Sequence, residues 1–245
     1  PDHTQGNQRY VGAFPTDVTV VSHEATREDV ATLGARRLAA DLERLPREIA
    51  SLESQLAGLA GAGAARAREV LQRQRGFLAE LRSVEPVLPS VTFDRALTLY
   101  RGAREIQLLY VGRGHTRGDL VVYLPRERIA FVGDLVTGGP PFARDGYPIA
   151  WAETLDRLAR LDIATVVPGH GRVRHDAGVL RDRARFLRQA AARIERGRAA
   201  GESVDEMSAA IDLDSFRDTF DPEPADRPWR GWMRMLVERT LDERR

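Results

Sequence analysis

The 245-residue chain contains no cysteine. That excludes disulfides, thiolate nucleophiles and Cys-ligated zinc or iron–sulfur centres, so any metal must be held by His and carboxylates. Lysine is missing as well, because all 37 basic residues are Arg. Schiff-base chemistry and the phosphate-binding Lys of a P-loop are thereby removed. No apolar run approaches the roughly 18 residues that cross a bilayer, and no basic stretch leads into an apolar one at the N-terminus, so neither a membrane span nor a signal peptide is predicted. The chain starts at Pro1 rather than Met, and a preceding segment is expected. An excess of one charge is also lacking: 37 basic residues face 36 acidic ones, giving a net charge of +1. These charges are interspersed, so neither nucleic acid nor an anionic membrane is expected as a partner.

What is present is a hydrophobic content of 42%, enough to furnish the core of one large domain or two small ones. Residues 17–22 (DVTVVS) read as a short buried strand ending at His23. From about Thr26 to Arg82 apolar residues recur at helical spacing, with Leu38, Leu42, Leu45, Ile49, Leu52, Leu56 and Leu59 before a glycine-rich break and Val70, Leu71, Phe77, Leu78 and Leu81 after it. This predicts a helical hairpin, an insertion over 26–85 that packs on the domain or on a second copy of the chain. Beyond Pro89 come β-rich segments (VTFD, ALTLY, EIQLLYVG, DLVVYLP and RIAFVGD), a helix from about Ile149 to Leu161, and the strand IATVVPGHG. Strands followed by a helix and another strand argue for an α/β class. Residues 1–175 are expected to form the main domain, and 176–245 a helical extension packed on it.

Three polar residues stand where apolar strands end: His115, Asp134 and His170. Strand ends fix the backbone while loops free the side chains, and each of these residues is flanked by Gly, which lets neighbouring backbone approach closely. Taken singly, each is more often an ordinary loop residue than a ligand. With Asp2 and His3 they form a nitrogen and oxygen donor set suited to Zn²⁺, Fe or Mn²⁺.

The segment PDHTQGN (Pro1 to Asn7) resembles the second half of the H-x-H-x-D-H signature of the metallo-β-lactamase superfamily. GHTRGD (Gly114 to Asp119), FVGDLV (Phe131 to Val136) and PGHG (Pro168 to Gly171) resemble its later motifs, in the family's order. The resemblance implies an αββα sandwich, here incomplete at its N-terminus and carrying the helical hairpin. It implies that Asp2, His3 and His170 bind a second metal, that Asp134 bridges two metals, and that His115 belongs to the first. The first metal would also need the His pair of H-x-H, which would precede Pro1. An Asp in a G-D motif is similar to glyoxalase II and to hydrolases of thioesters, phosphoesters, lactones and sulfur compounds, whereas the Cys-ligated zinc β-lactamases are a poorer match. If strands precede the motif in the parent, the chain as it stands should expose apolar surface and be prone to aggregate.

The implied activity is a metal-dependent hydrolase of a small molecule (ester, thioester, lactone, phosphoester or lactam) with one or two Zn²⁺ and with Asp2 and Asp134 in catalytic positions. Two competing readings are an impaired metal-binding or interaction domain, and an iron-dependent sulfur dioxygenase using the same ligands. Thr116 and Asp119 are expected to support His115 through hydrogen bonds or to form a turn. The loop TGGPPFARDGY (Thr137 to Tyr147) borders a substrate pocket through Phe142, Arg144 or Tyr147 on one reading and is plain surface on the other. His23 and His175 are expected to be structural, and Trp151, Trp229 and Trp232 to pack.

Overall fold

A computed structural model describes residues 3–14, 18–222 and 229–245. The chain forms two compact units, Pro1–Thr92 and Phe93–Arg245.

In the first unit, a short helix α1 (Asn7–Ala13) precedes strand β1 (Val21–His23). The strand expected over residues 17–22 is thus shorter and shifted, and Asp17 lies outside the described residues. The local cause is His23, whose Nδ1 accepts a hydrogen bond from the Ala25 amide at 3.0 Å and so caps helix α2 (Glu24–Asp29), turning the chain out of the strand. A π-helical turn (Val30–Gly34) leads into α3 (Ala35–Leu56), which runs on through Pro46, and α4 (Gly61–Arg82) returns. The hairpin buries Leu45 and Ile49 of α3 against Leu71, Leu78 and Leu81 of α4. An Arg75–Glu53 ion pair at 2.6 Å joins the two helices on their exposed side. Strand β2 (Val91–Phe93) pairs with β1 in a two-stranded sheet.

The second unit is built on a five-stranded sheet ordered β3 (Ala96–Arg101), β4 (Arg104–Leu109), β5 (Val121–Leu124), β6 (Ile129–Gly133) and β7 (Thr165–Pro168). Neighbours are antiparallel except β6 and β7, which run parallel. The return to β7 needs a crossover, supplied by α5 (Pro148–Leu158). Four helical segments follow: α6 (Gly178–Ala199), α7 (Val204–Ala209), a 3₁₀ turn (Asp214–Thr219) and α8 (Arg230–Glu243). The two-residue period of a strand puts Val121, Tyr123, Ala130, Val132 and Val166 on one face. That face forms one core with Trp151, Leu155 and Leu158 of α5, Leu180, Ala184 and Leu187 of α6, and Met233 and Leu236 of α8. Phe131, pointing the other way, stays exposed. No helix among the described residues is long and apolar enough to cross a membrane.

The pairing pattern places the site. Strands β4 and β6 are each antiparallel to β5 and so point the same way, and β7 is parallel to β6. The C-terminal ends of β4, β6 and β7 therefore lie at one edge of the sheet. His115, Asp134 and His170 each follow one of those three ends.

Candidate metal centre

Asp134 comes directly after β6, whose last residue, Gly133, has a left-handed backbone (φ 52°) that turns the chain off the sheet. The Gly169 amide donates to the Gly133 carbonyl at 2.8 Å and to the Val136 carbonyl at 3.2 Å, locking the start of the His170 loop against the Asp134 turn. A Cβ at Gly169 would overlap the Asp134 carboxylate and press on the Gly133 and Asp134 backbone. Only glycine lets the two loops meet this closely.

The Asp134 carboxylate then lies between two imidazoles. Its Oδ2 is 3.5 Å from His115 Nε2, and its Oδ1 is 3.7 Å from His170 Nε2. Two ligands each about 2.1 Å from one cation, at near-tetrahedral angles, stand roughly 3.4 Å apart. Both separations are close to that spacing and longer than a hydrogen bond. One imidazole nitrogen facing each carboxylate oxygen is the donor chemistry of a site for one cation or for two that share the acid. The residues of this edge fit a divalent metal.

The two His differ in their surroundings. The His115 side chain is 20% exposed and that of His170 is 55% exposed, with Asp134 between them at 12%. His115 rests edge-on against the Trp151 ring, with centroids 5.7 Å apart, and Trp151 Nε1 donates to the Leu135 carbonyl at 3.2 Å. Its loop is pinned from behind by the Thr154 hydroxyl, which donates to the Arg113 carbonyl at 2.7 Å, and by the Tyr147 amide, which donates to the Gly114 carbonyl at 2.8 Å. Its Nδ1 is buried and makes no hydrogen bond among the described residues.

The Asp119 carboxylate pairs with Thr116. It accepts from the Thr116 amide at 3.0 Å and from the Thr116 hydroxyl at 2.7 Å, closing the turn that follows His115. Burial pushes its carboxyl above the usual carboxylate range, against the opposing pull of those Thr116 hydrogen bonds. The pair shapes the turn that follows His115.

The loop Thr137 to Tyr147 is mostly buried, and α8 backs it, so the plain-surface reading does not hold. Phe142 meets Trp232 edge-to-face with ring centroids 5.5 Å apart, and the Arg144 guanidinium lies 5.7 Å from the Phe142 ring centroid. Tyr147 is held between Arg113 and Arg239, whose guanidinium carbons are 5.1 Å and 5.7 Å from its ring centroid. Glu243 of α8 accepts from the Ile149 and Ala150 amides at 2.8 and 3.0 Å, capping the N-terminus of α5. Arg183 of α6, buried in the core, donates to the Gly139 carbonyl at 2.7 Å and to the Thr137 carbonyl. Desolvation, with a smaller push from the Arg174 charge, lowers its pKa to about 9. Trp151 and Trp229 are core residues, as expected, and Trp229 stands just before α8 rather than inside it.

Of the remaining candidates, Asp2 lies outside the described residues. His3 is an exposed residue of the first unit, in the turn before α1. His23 is the helix cap described above.

The sequence model of one family, described as "Metallo-beta-lactamase superfamily", matches residues 1–170. Among curated proteins, the chain is 34% identical over 90 residues to a metallo-beta-lactamase type 2 of Bacteroides fragilis, covering 34% of this chain and 36% of that one. It is 28% identical over 134 residues to the 2,4-dinitroanisole O-demethylase subunit alpha of Nocardioides sp. (strain JS1661), covering 51% of this chain and 36% of that one. The chain thus spans about a third of the length of the curated relatives it matches. Among solved structures, a stereoselective inverting sec-alkylsulfatase from Pseudomonas sp. aligns with a TM-score of 0.53 at 15% identity, over 64% of this chain and 27% of that one, a likeness of fold.

Proposed function

The chain belongs to the metallo-β-lactamase superfamily, and on that premise we propose that the edge carrying His115, Asp134 and His170 is the metal-holding part of a hydrolase active centre. The observation that carries the reading is the single carboxylate with an imidazole nitrogen 3.5 Å from one oxygen and another 3.7 Å from the other. Asp2 and His3 join the set on the strength of the PDHTQGN motif.

A divalent cation held there supplies two things when bound, an acidified water at neutral pH and a Lewis acid for the substrate's oxygen. Zinc suits the donors, as one ion or as two sharing Asp134. The chain's own residues do the rest. Asp134 contributes the negative charge that offsets the cation. His115 and His170 contribute imidazole nitrogen donors, one facing each oxygen of the carboxylate. The Trp151 ring and the Thr116–Asp119 turn fix the first imidazole, and the Asp2 carboxylate accepts the proton released as the nucleophile attacks. The loop bearing Phe142, Arg144 and Tyr147, tied to the His115 loop by the bond from the Tyr147 amide to the Gly114 carbonyl, is assigned the task of orienting a small-molecule substrate.

The bond cleaved is an ester, thioester, lactone, phosphoester or lactam. The names of the curated relatives mention a lactam and an aryl methyl ether, and the ether lies outside that range, so they do not narrow it. Elemental analysis of the purified chain beside an Asp134→Ala variant tests the reading. Near-stoichiometric zinc, iron or manganese that falls away in the variant is the expected result, and bound metal with hydrolysis of an ester or thioester panel completes it. An absence of metal from both proteins after incubation with zinc overturns it.

A further inference from the structure

We propose that Asp221 is a positioning residue for His170, an assignment that rests on the metal-centre reading above. His170 sits in a tight loop closed by a bridge between Val166 and Arg174, whose amides and carbonyls pair at 2.8 and 2.9 Å. The loop has an anchor on each side of the imidazole. On the N-terminal side, the Gly169 amide donates to the Gly133 carbonyl. On the C-terminal side, Asp221 accepts from the Arg172 amide at 3.1 Å, from Arg172 Nε at 2.8 Å and from an Arg174 guanidinium nitrogen at 3.0 Å.

Asp221 also reaches the other ligand-bearing loop. Its own amide donates to the Gly138 carbonyl at 2.8 Å, four residues beyond Asp134. Gly171, with φ 102°, leaves the room its carboxylate occupies, since a Cβ there would press on Asp221 Oδ2 and on Gly138. One residue therefore fastens the loops of Asp134 and His170 to each other. His170 depends on such fastening more than His115 does, because its side chain is 55% exposed against 20% for His115. An imidazole whose backbone is free on one side loses its preset direction, and ordering it again must then come out of the binding energy.

The test uses the full chain with zinc as the probe, following affinity by titration calorimetry and backbone protection by amide hydrogen exchange. Asp221→Ala is expected to bind zinc about 10- to 100-fold more weakly and to exchange faster at residues 169–172, with residues 114–118 unchanged. Asp221→Asn, which keeps an acceptor of the same shape, is expected to recover part of both. Affinity within about two-fold of the parent in Asp221→Ala, or faster exchange spread evenly over residues 93–245, would overturn the assignment. Should Asp221→Ala not fold, the Asp221→Asn variant decides: weaker binding with local exchange supports the proposal, and parental values overturn it. If the parent chain itself binds no zinc, the metal-centre reading falls, and local exchange at 169–172 alone decides whether Asp221 holds the loop.

Discussion

His115 and His170 face the same carboxylate but are held by different physics. His115 stands on the hydrophobic core: the Trp151 ring lies against it, and the helix that carries Trp151 is packed on the sheet. His170 stands on polar anchors, the Gly169 amide on one side and the Asp221 clamp on the other. The difference teaches where each ligand is vulnerable. Loss of apolar volume should disturb the first, and loss of charge or a small steric intrusion should disturb the second.

The largest effect is expected on the packed side. Trp151→Ala removes the bed under His115 from a site with 1% exposure, and should cost about 3–5 kcal/mol of stability. All three tryptophans lie in the second unit, so the fluorescence of Trp229 and Trp232 during urea unfolding reports on that unit. A loss below about 1 kcal/mol would mean the bed collapses without harm, and the contrast between the two imidazoles would lose its basis.

A smaller effect is expected where the two loops meet. Gly169→Ala introduces a methyl group into the space of the Asp134 carboxylate, and overpacking of this kind costs about 1–3 kcal/mol. Because the displaced group is the shared ligand, zinc affinity should fall by about ten-fold or more. Calorimetric titration of the variant checks this, and unchanged affinity would show that the carboxylate has another place to go.

The packed side of the site was legible in the sequence, and the polar side only in part. His115, Asp134 and His170 follow runs of strand-forming residues and are flanked by Gly, so their position at strand ends could be read before any fold was known. The parallel pairing of β6 and β7, which makes those ends neighbours, could not, since no local pattern encodes it. The helical hairpin was marked by its leucine spacing. The strand expected at 17–22 misled because apolar content speaks for extension but not for a pairing partner, and because His23 serves as a cap. Asp221 carried no readable signal: it belongs to an acidic, proline-containing stretch, and its partners Arg172 and Arg174 are nearly fifty residues away. Arg183 and Glu243 were hidden for the same reason, as charged residues on helices whose contacts with the 137–150 segment are long-range.

The smallest effect sharpens the polar side of the comparison and concerns pH. Partial burial pushes the Asp221 carboxyl up, but the Arg172 hydrogen bonds and the Arg174 and Arg172 charges outweigh it and hold the group below its ordinary value of 3.8. In the unfolded chain the carboxyl returns to about 3.9. Between the two values the unfolded state binds more protons, so the contribution of Asp221 rises with pH: it is complete above the unfolded value and is lost as pH falls through the folded one. A carboxamide does not titrate, so Asp221→Asn should be less stable than the parent by on the order of 1 kcal/mol at pH 7 and should approach it as the pH drops below about 4. Urea unfolding followed by tryptophan fluorescence from pH 7 to pH 3 checks this. A gap that stays constant over that range would assign the stabilisation to the shape of the side chain rather than to its charge, and His170, like His115, would then be held by packing.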